Sequence, residues 1–432
     1  MSGTAERSAA ALVPPSRPYA AFVLVVLVAV YAFNFMDRYV FVIMMEAIKR
    51  DLSLSDTQLG LLSGFAFSAV YSISGLGVAR WADHGNRRSI ISLALAAWST
   101  LTIVCGQTRN FAQVFLARMG VGVSESACSP PAFSLLADYF TPGRRAKAYA
   151  VYSGGTYLGL GLGFILGGWI GEHYGWRAAF LAAGAPGLLV ALLVRFAIRE
   201  PVRGAADEGV TDTTRYRLGE AATYFRQRPA FLAYMMGSAL YVLAGTAIDN
   251  WAPLYLVRVH HLPSDEVGLW TGFLGATAGL SGAVCSGIIA DRLAQRDLRL
   301  NLWVATAGIA LVVPGTLLFV FAPSRLLFVL YGITTFFNSF YMPPTVAITQ
   351  RLVPVRLRAL AAAVMLFGYN VVGTAGCNFA IGYLSDRWAP ALQSDSIRYA
   401  MAAVQIAAVL GAACTLFGIA RLPRDFAEYF RS

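Results

Sequence analysis

The chain has 432 residues, of which 57% are hydrophobic and 13% charged, and its mean hydropathy is +0.59. Soluble domains carry about 25% charged residues, so this composition excludes a soluble enzyme, a disordered chain and a small disulfide-linked scaffold. The net charge of +11 does not indicate nucleic-acid binding, because the basic residues form small clusters between apolar runs. We therefore predict an all-α integral membrane protein.

Twelve apolar segments are long enough to cross a bilayer, which requires about 20 residues each. In chain order we place them at 20–47, 56–82, 88–107, 111–139, 145–172, 177–198, 229–257, 266–291, 300–322, 325–351, 357–385 and 397–421. Residues 199–226 form the one long polar interruption, which is rich in Arg, Asp, Glu, Thr and Gly. We therefore predict a six-span bundle at 1–198, a linker at 199–226 and a second six-span bundle at 227–432.

The basic residues are unevenly distributed between the two faces of this topology. If both termini and the loops after even-numbered spans lie in the cytoplasm, these segments hold 24 of the 34 Lys and Arg residues. The opposite face holds 8, and Arg38 and Arg118 fall inside spans. Because cytoplasmic loops of membrane proteins carry excess Lys and Arg, this split favours cytoplasmic termini in a bacterial inner or plasma membrane.

An internal repeat relates the two halves of the chain. Its markers are the pairs Pro130-Pro131 and Pro343-Pro344, at an offset of 213, Asp37 and Asp249, at 212, and Asp83 and Asp291, at 208. Three near-equal offsets indicate two parallel six-span halves. In transporters built from such repeats, the substrate site lies between the halves near the middle of the membrane.

Five ionisable residues lie at membrane depth: Asp37, Arg38, Arg118, Glu125 and Asp249. Such residues are costly in a bilayer, and they indicate a functional site by default. Arg118 and Glu125 are seven residues apart and share one face of span 4, about 10 Å apart along the axis, so each needs a partner elsewhere.

The functional interpretation of these residues is a charge network between spans 1 and 4. In it, Asp37 or Glu125 takes up and releases a proton. Burial favours the neutral form of a carboxyl group and a nearby Arg favours the ionised form, so movement of an Arg can switch protonation. Arg38 or Arg118 could also hold an anionic substrate group. The alternative is a static ion pair that fastens two helices together.

The second half offers neutral polar groups where the first half has charges. At the repeat offsets, Arg38 corresponds to Asn250, Arg118 to Tyr331 and Glu125 to Asn338. We expect these residues, with Asp249, Tyr341 and Asn370, to contribute hydrogen bonds to a largely apolar substrate wall. The alternative is that they make helix–helix hydrogen bonds only.

The loop after span 2, Ala82-Asp83-His84-Gly85-Asn86-Arg87-Arg88, resembles the Gly-x-x-x-Asp-Arg-x-Gly-Arg-Arg loop of the major facilitator superfamily. Ala79, His84 and Asn86 depart from that pattern. A second copy, Gly287-Ile-Ile-Ala-Asp291-Arg292, follows span 8. This resemblance covers essentially the whole chain and implies two six-helix bundles that work by alternating access. It also implies a cytoplasmic gate formed by Asp83, Arg87, Arg88, Asp291 and Arg292, whose arginines would otherwise serve only to anchor the topology.

Within that superfamily, the motif Asn34-Phe35-Met36-Asp37-Arg38-Tyr39 is similar to the first span of the Spinster lipid transporters. Arg118-x-x-x-Gly122-x-x-Glu125 and Gly382-Tyr383-Leu384-Ser385-Asp386 also resemble that family. The resemblance implies a proton-coupled carrier of an amphipathic lipid, such as a lysophospholipid or a sphingoid-like molecule. It adds no cofactor, and we expect none.

Several alternatives remain open at the level of sequence. A carrier of small organic anions or of drugs would have a compact polar cavity, and a passive scramblase would show no proton dependence. A membrane-embedded enzyme has no support, because the chain has no metal-ligand cluster, activated nucleophile or nucleotide loop. The five cysteines lie in apolar segments without metal spacing, so we predict no metal site. We expect a monomer.

Overall fold

The computed structural model describes residues 16–201, 223–354 and 357–426, and these ranges are helical without any strand. The first half of the described chain contains six helices, numbered here in chain order. They are α1 (Arg17–Leu52), α2 (Asp56–Ser63, a π-helical turn at Phe65–Ala69, and Val70–His84), α3 (Arg87–Cys105), α4 (Phe111–Glu125 and Ser129–Tyr139), α5 (Pro142–Tyr174) and α6 (Trp176–Ala197).

Six helices of the second half follow in the same described ranges. They are α7 (Pro229–Thr246, a π-helical turn at Ala247–Trp251, and Ala252–Val259), α8 (Ser264–Ala294), α9 (Leu300–Phe321), α10 (Leu327–Asn338 and Met342–Leu352), α11 (Arg358–Phe367, a π-helical segment at Gly368–Ala375, and Gly376–Leu392) and α12 (Ser396–Ala403 and Gln405–Asp425). Together they form the predicted all-α fold of two six-helix bundles. The division at 199–226 stays a prediction, because most of that linker lies outside the described residues.

Each predicted span coincides with one of these helices, although several helices are longer than the span. Among the described residues, nine stretches are long and apolar enough to cross a membrane, and the last of them, Leu360–Asp425, covers α12 and all but the first two residues of α11. Helices α2 and α4 complete the twelve. α1, α5 and α8 extend two to five residues beyond the predicted spans at their ends, as expected for helices that continue past the hydrocarbon layer.

Large apolar side chains are exposed along the outer faces of both bundles. Leu189, Phe196 and Ile406 are 69%, 79% and 65% exposed, and many other residues of this kind are similarly placed. Soluble monomers rarely expose apolar surface on this scale. The exposed side chains therefore form the lipid-facing surface that the composition predicted.

The proline pairs break α4 and α10 at equivalent points of the repeat. Helix α4 ends at Glu125 and restarts at Ser129, just before Pro130, and α10 ends at Asn338 and restarts at Met342, just before Pro343. A proline lacks the amide hydrogen and clashes with the preceding turn, so a helix is interrupted there. Glu125 and Asn338, which the offset of 213 pairs, both become the last residue before a break.

Glycines let the helices approach closely within and between the bundles. A Cβ atom at Gly163 would lie 2.6 Å from the carbonyl oxygen of Met36, so α1 and α5 are in backbone contact there. Between the bundles, Gly272 of α8 packs against Gly161 and Phe164 of α5. Small residues at helix crossings permit such contact in membranes.

The two bundles meet mainly at one end of the molecule. Helix α5 contacts α8, and α2 contacts α11, from the end of the molecule opposite the chain termini to the middle of these helices. Examples are Gly168 with Gly268 and Gly64 with Ala375. Towards the other end, a Cβ atom at Gly75, Gly77 or Gly154 would meet nothing within 4 Å. We call these ends the closed side and the terminal side.

Replacing Gly159 with Val is expected to destabilise the first bundle, because its Cβ atom would overlap the carbonyl oxygen of Ala32 in α1. Overpacking of this kind costs about 1–3 kcal/mol. The matched control is Gly154→Val in the same helix, where the Cβ atom meets nothing within 4 Å. Thermal unfolding of the purified variants should show a lower midpoint for Gly159→Val alone, and equal midpoints would contradict the close contact.

Candidate transport site

A charged cluster joins α1 and α4 at mid-membrane. The guanidinium of Arg38 donates from Nε (2.9 Å) and Nη2 (2.5 Å) to Oε2 of Glu125, and Nη2 also donates to Oδ1 of Asn34 at 3.0 Å. Its carbon Cζ lies 4.4 Å from the ring centroid of Phe67 and 4.6 Å from that of Phe35. The sequence placed Arg38 and Glu125 on different helices and required partners for both, and the structure pairs them with each other.

Asp37, the neighbour of Arg38, points away from it towards α3. The Oγ1 atom of Thr102 donates to Oδ2 of Asp37 at 2.9 Å, and the Asp37 side chain is buried. Arg38 is more accessible, since 20% of its side chain is exposed. Adjacent residues of a helix point about 100° apart, which explains why Asp37 meets α3 while Arg38 meets α4.

The two carboxyl groups of the cluster lie side by side. Oδ1 of Asp37 and Oε1 of Glu125 are buried and have no hydrogen-bond partner among the described residues when both groups are ionised. The carboxyl groups are nevertheless close enough for a hydrogen bond between them if one carries a proton. A single proton bound here would therefore satisfy two oxygens that are otherwise unpaired.

Arg118 provides the second positive charge of the cluster. Its Cζ atom lies 4.6 Å from the ring centroid of Phe41 and 4.7 Å from that of Phe67, and it interacts electrostatically with Asp37. The Nε atom is buried and has no acceptor in the part of the chain described here. The cluster thus contains two Arg and two carboxylates, and it is neutral only when no proton is bound.

In the second half, Asp249 occupies the position that corresponds to Asp37. It lies in the π-helical turn of α7, its side chain is partly exposed, and Oδ2 accepts a hydrogen bond from Nδ2 of Asn338 at 2.9 Å. The contact joins α7 to α10, just as Arg38 and Glu125 join α1 to α4. Short π-helical turns within α-helices occur frequently at functional sites.

The other polar residues predicted in the second half are only partly gathered at this position. Tyr331 and Tyr341 interact electrostatically with Asp249. Asn250 instead reaches α11, where its Nδ2 atom lies 3.4 Å from Oδ1 of Asn378. Asn370 donates to the carbonyl of Leu366 in its own helix at 2.9 Å. The structure therefore brings Tyr331, Asn338 and Tyr341 to Asp249 and leaves Asn250 and Asn370 apart.

On the terminal side, Arg87 and Arg88 bind groups of their own bundle. Arg87 pairs with Asp138 of α4 and with Glu200 at 2.7 Å, and Arg88 donates from Nη1 to the carbonyl of Ile198 at 3.2 Å. These contacts fasten the start of α3 to the end of α4 and to the residues that follow α6. Because the bundles are apart on this side, a contact of either arginine with the second bundle would require a different conformation.

Three other residues were predicted to belong to the cytoplasmic gate: Asp83, Asp291 and Arg292. Asp83 is the penultimate residue of α2, but its side chain lies outside the described part of the structure. Asp291 and Arg292 lie exposed near the end of α8. Their role as a gate between the bundles stays a prediction.

A buried ion-pair network connects the bundles on the closed side. Arg258 of α7 donates from Nη1 and Nη2 to the two carboxylate oxygens of Asp56 at 2.7 and 2.8 Å, and from Nε to Oε2 of Glu46 at 2.8 Å. Lys49 donates to Asp56 at 2.6 Å. Asp56 and Glu46 belong to the first bundle and Arg258 to the second, so this closed-side network crosses the interface.

Asp386 of α11 adds a second connection beside this network. Its carboxylate accepts hydrogen bonds from the backbone NH groups of Asp56 (2.9 Å) and Thr57 (2.7 Å) and from the Thr57 hydroxyl (2.6 Å). These are free NH groups at the start of α2, where a negative charge is also favoured by the helix dipole. A residue of the second bundle thus caps a helix of the first.

Sequence reasoning missed this network as a site. The positive-inside count assigned Arg258 and Lys49 to the loops of the minority face and gave them no further role. A signal was present, because Arg258 lies in the last turn of an apolar helix and Glu46 lies inside the first span. Their pairing could not be deduced, since they are 212 residues apart in the chain.

Comparison with known proteins agrees with this architecture. The family model of the Major Facilitator Superfamily matches residues 27–376. An MFS-type efflux pump of Mycolicibacterium smegmatis is 32% identical over 424 residues, which cover 96% of each chain. The sphingosine-1-phosphate transporter SPNS2 of Danio rerio is 26% identical, over 82% of this chain and 73% of the relative.

A solved structure is similar over almost the whole chain. It is a bacterial homologue of the human lysosomal transporter Spinster in an inward-facing, unoccupied conformation, with a TM-score of 0.85, 27% identity and coverage of 96% of this chain and 99% of that one. Because the family model matches well over half of the chain, the resemblance inferred from the motifs is confirmed. The chain belongs to the Major Facilitator Superfamily and is a multi-pass membrane transporter related to the Spinster proteins.

Proposed function

We propose that this transporter is proton-coupled and moves an amphipathic lipid, such as a lysophospholipid or a sphingoid-like molecule, by alternating access. The observation that carries the proposal is the cluster of Asp37, Arg38, Arg118 and Glu125, in which two adjacent buried carboxyl groups lie beside two arginines. Burying four charges is a poor way to stabilise a bundle, so a purely structural role is disfavoured.

The coupling follows from the geometry of Arg38. When Glu125 is ionised, it holds Arg38 through two hydrogen bonds to Oε2. A proton on the Asp37–Glu125 pair weakens that attraction and leaves the cluster with a net positive charge. Arg38, which is partly exposed, is then free to bind an anionic group of the substrate, for which the planar guanidinium is suited. Substrate binding and proton binding are thereby linked at one residue.

We infer that the terminal side faces the cytoplasm, because the positive-inside rule assigns 24 of the 34 Lys and Arg residues to that side. On this assignment, the structure is open to the cytoplasm and closed to the outside. The solved Spinster homologue with which it shares a TM-score of 0.85 carries the description inward-facing. The closed-side network then acts as the outer latch, and Arg87 and Arg88 belong to the inner gate.

A second substrate class has its own support. The relative from Mycolicibacterium smegmatis, at 32% identity, is named an efflux pump, which favours a carrier of drugs or small organic anions. The Danio rerio relative, named as a sphingosine-1-phosphate transporter, favours a lipid. The two candidates differ in the length of apolar substrate that the site accepts.

Purified protein in proteoliposomes with an imposed pH gradient tests the proposal. Parent protein should drive a fluorescent lysophospholipid, but not a matched short organic anion, and pyranine fluorescence should report accompanying proton movement. Arg38→Ala should lose both signals. Transport of the lipid without dependence on the gradient would indicate a scramblase and contradict coupling. Transport of the short anion in place of the lipid would establish the second substrate class.

A further inference from the structure

Asp249 is a carboxylate near the middle of the membrane without a cation to neutralise it. Glu125 pairs with Arg38, Asp56 pairs with Arg258, and Asp37 interacts electrostatically with Arg118. In the described part of the chain, no Lys, Arg or His forms an ion pair with Asp249, whose hydrogen-bond donor is the neutral amide of Asn338. An isolated charge at this depth is costly, which indicates a missing cationic partner.

Tyrosine side chains surround this carboxylate from both bundles. Tyr39 of α1, Tyr157 of α5 and Tyr341 of α10 each interact electrostatically with Asp249, and Tyr341 interacts with the other two as well. All three tyrosines and Asp249 are partly exposed. We call these four residues the tyrosine pocket. It lies between the bundles, where transporters of this architecture bind substrate.

The pocket is held in place by its surroundings. The Tyr157 hydroxyl interacts with the side chain of Ser339, which lies in the break of α10. Tyr341 lies in the same break, and its ring packs against Tyr241, with 4.8 Å between the ring centroids. Tyr241 donates to the carbonyls of Phe337 and Asn338 at 3.0 Å. These bonds hold in place Asn338, whose side chain donates to Asp249. The carboxylate and the rings are therefore preorganised.

From this arrangement we propose that the tyrosine pocket binds an organic ammonium group of the substrate, with Asp249 as its counter-ion. A carboxylate combined with several aromatic rings is the recurrent solution for recognising ammonium cations, because the ring faces attract positive charge and tolerate bulky alkyl groups. A small metal cation would require several oxygen ligands in close coordination, which rings do not supply.

This inference rests on the proposed transport function and specifies part of its substrate chemistry. Tyr39 interacts electrostatically with both Asp249 and Arg38, so the cation site at Asp249 and the anion site at Arg38 lie close together. A molecule that carries both an ammonium and a phosphate or carboxylate group would engage both sites. Amphiphiles with only a cationic head would engage the tyrosine pocket alone.

Equilibrium binding to detergent-solubilised, full-length protein tests the assignment without requiring coupled transport. The probes are a fluorescent alkyl-trimethylammonium, whose charge does not depend on pH, and its neutral carbon isostere with a tert-butyl group. Parent protein should bind the ammonium at least about tenfold more tightly than the isostere. Asp249→Asn should remove that difference, and Asp249→Glu should largely retain it. Tyr341→Phe, which keeps the ring, should bind better than Tyr341→Leu.

Asp297→Asn is the matched control, since Asp297 lies in the loop after α8 and pairs with Arg299 at 2.6 Å. It should bind both probes as the parent does. Equal binding of the two probes to the parent, or a preference for the ammonium that survives in Asp249→Asn, would overturn the proposal. Because no gradient is used, failure of this assay leaves proton coupling to be judged by the proteoliposome experiment.

Discussion

Replacing Glu125 with Gln is expected to abolish gradient-driven transport while leaving the folded protein intact. Gln has nearly the same shape as a protonated Glu, but it neither binds nor releases a proton. The side chain is fully buried, and its Oε2 atom holds Arg38 at 2.5 and 2.9 Å. The variant would therefore be fixed in the state in which Arg38 is released, and the proton gradient would no longer move it between states.

The measurement is uptake or release of the transported probe in proteoliposomes with and without a pH gradient. In Glu125→Gln, transport with the gradient should fall to the rate seen without it. Binding of the probe to solubilised protein should persist, because Arg38 remains present and free. Asp37→Asn should show the same loss of coupling if the two carboxyl groups share one proton.

The control for this experiment is Glu266→Gln, the same change of side chain at an exposed position in the first turn of α8. It should behave like the parent in both assays. Gradient-dependent transport that persists in Glu125→Gln at the parental rate would remove Glu125 from the coupling mechanism. The pair with Arg38 would then be the static link between α1 and α4 that the sequence also allowed.

Replacing Arg258 with Gln should have the largest effect on the conformational equilibrium. Only one-tenth of the Arg258 side chain is exposed, and its loss would leave Asp56 and Glu46 facing each other with less neutralisation. Removing one partner of a buried ion pair costs about 3–5 kcal/mol. This cost applies only to the conformation in which the two bundles meet on the closed side. The equilibrium between that conformation and one open on the same side should therefore shift towards the open one by about 100-fold or more.

Distances between spin labels across the closed side measure this shift. Suitable positions are Tyr174, at the end of α5, and Leu326, just before α10, which are 68% and 48% exposed. They should be labelled as cysteines in a background without the five native cysteines. The parent should give one short distance population, and Arg258→Gln should add a longer one at the expense of the first.

The matched control is Arg398→Gln. Arg398 pairs with Asp395 at 3.2 Å on the same side, but both residues belong to the second bundle. It should leave the distance distribution unchanged. An unchanged distribution in Arg258→Gln would show that glycine-mediated packing of α5 on α8, and not the ion pairs, holds the closed side together. Combining Arg258→Gln with Asp56→Asn should restore part of the short population, because the uncompensated charge is then gone.

The sequence by itself determined the class of protein, the twelve helices and the repeat. Apolar runs of about 20 residues indicate membrane helices. The proline pairs at 130–131 and 343–344 interrupt α4 and α10, because proline disrupts a helix interior. The offset of 213 pairs Glu125 with Asn338 from the sequence alone, and both residues end the first piece of a broken helix. The cost of burying charge singled out Asp37, Arg38, Arg118 and Glu125 as partners.

Only the tertiary structure decided which of these groups touch. Whether Glu125 of α4 would bind Arg38 depends on the rotation of α1 against α4, which sequence spacing within one helix does not define. The closed-side network joins residues about 200 positions apart in the chain, and Arg258 and Lys49 read as ordinary loop charges until α1, α2 and α7 converge. The same holds for Tyr39 and Tyr157, which come within electrostatic range of Asp249 only because the two bundles pack against each other through glycines.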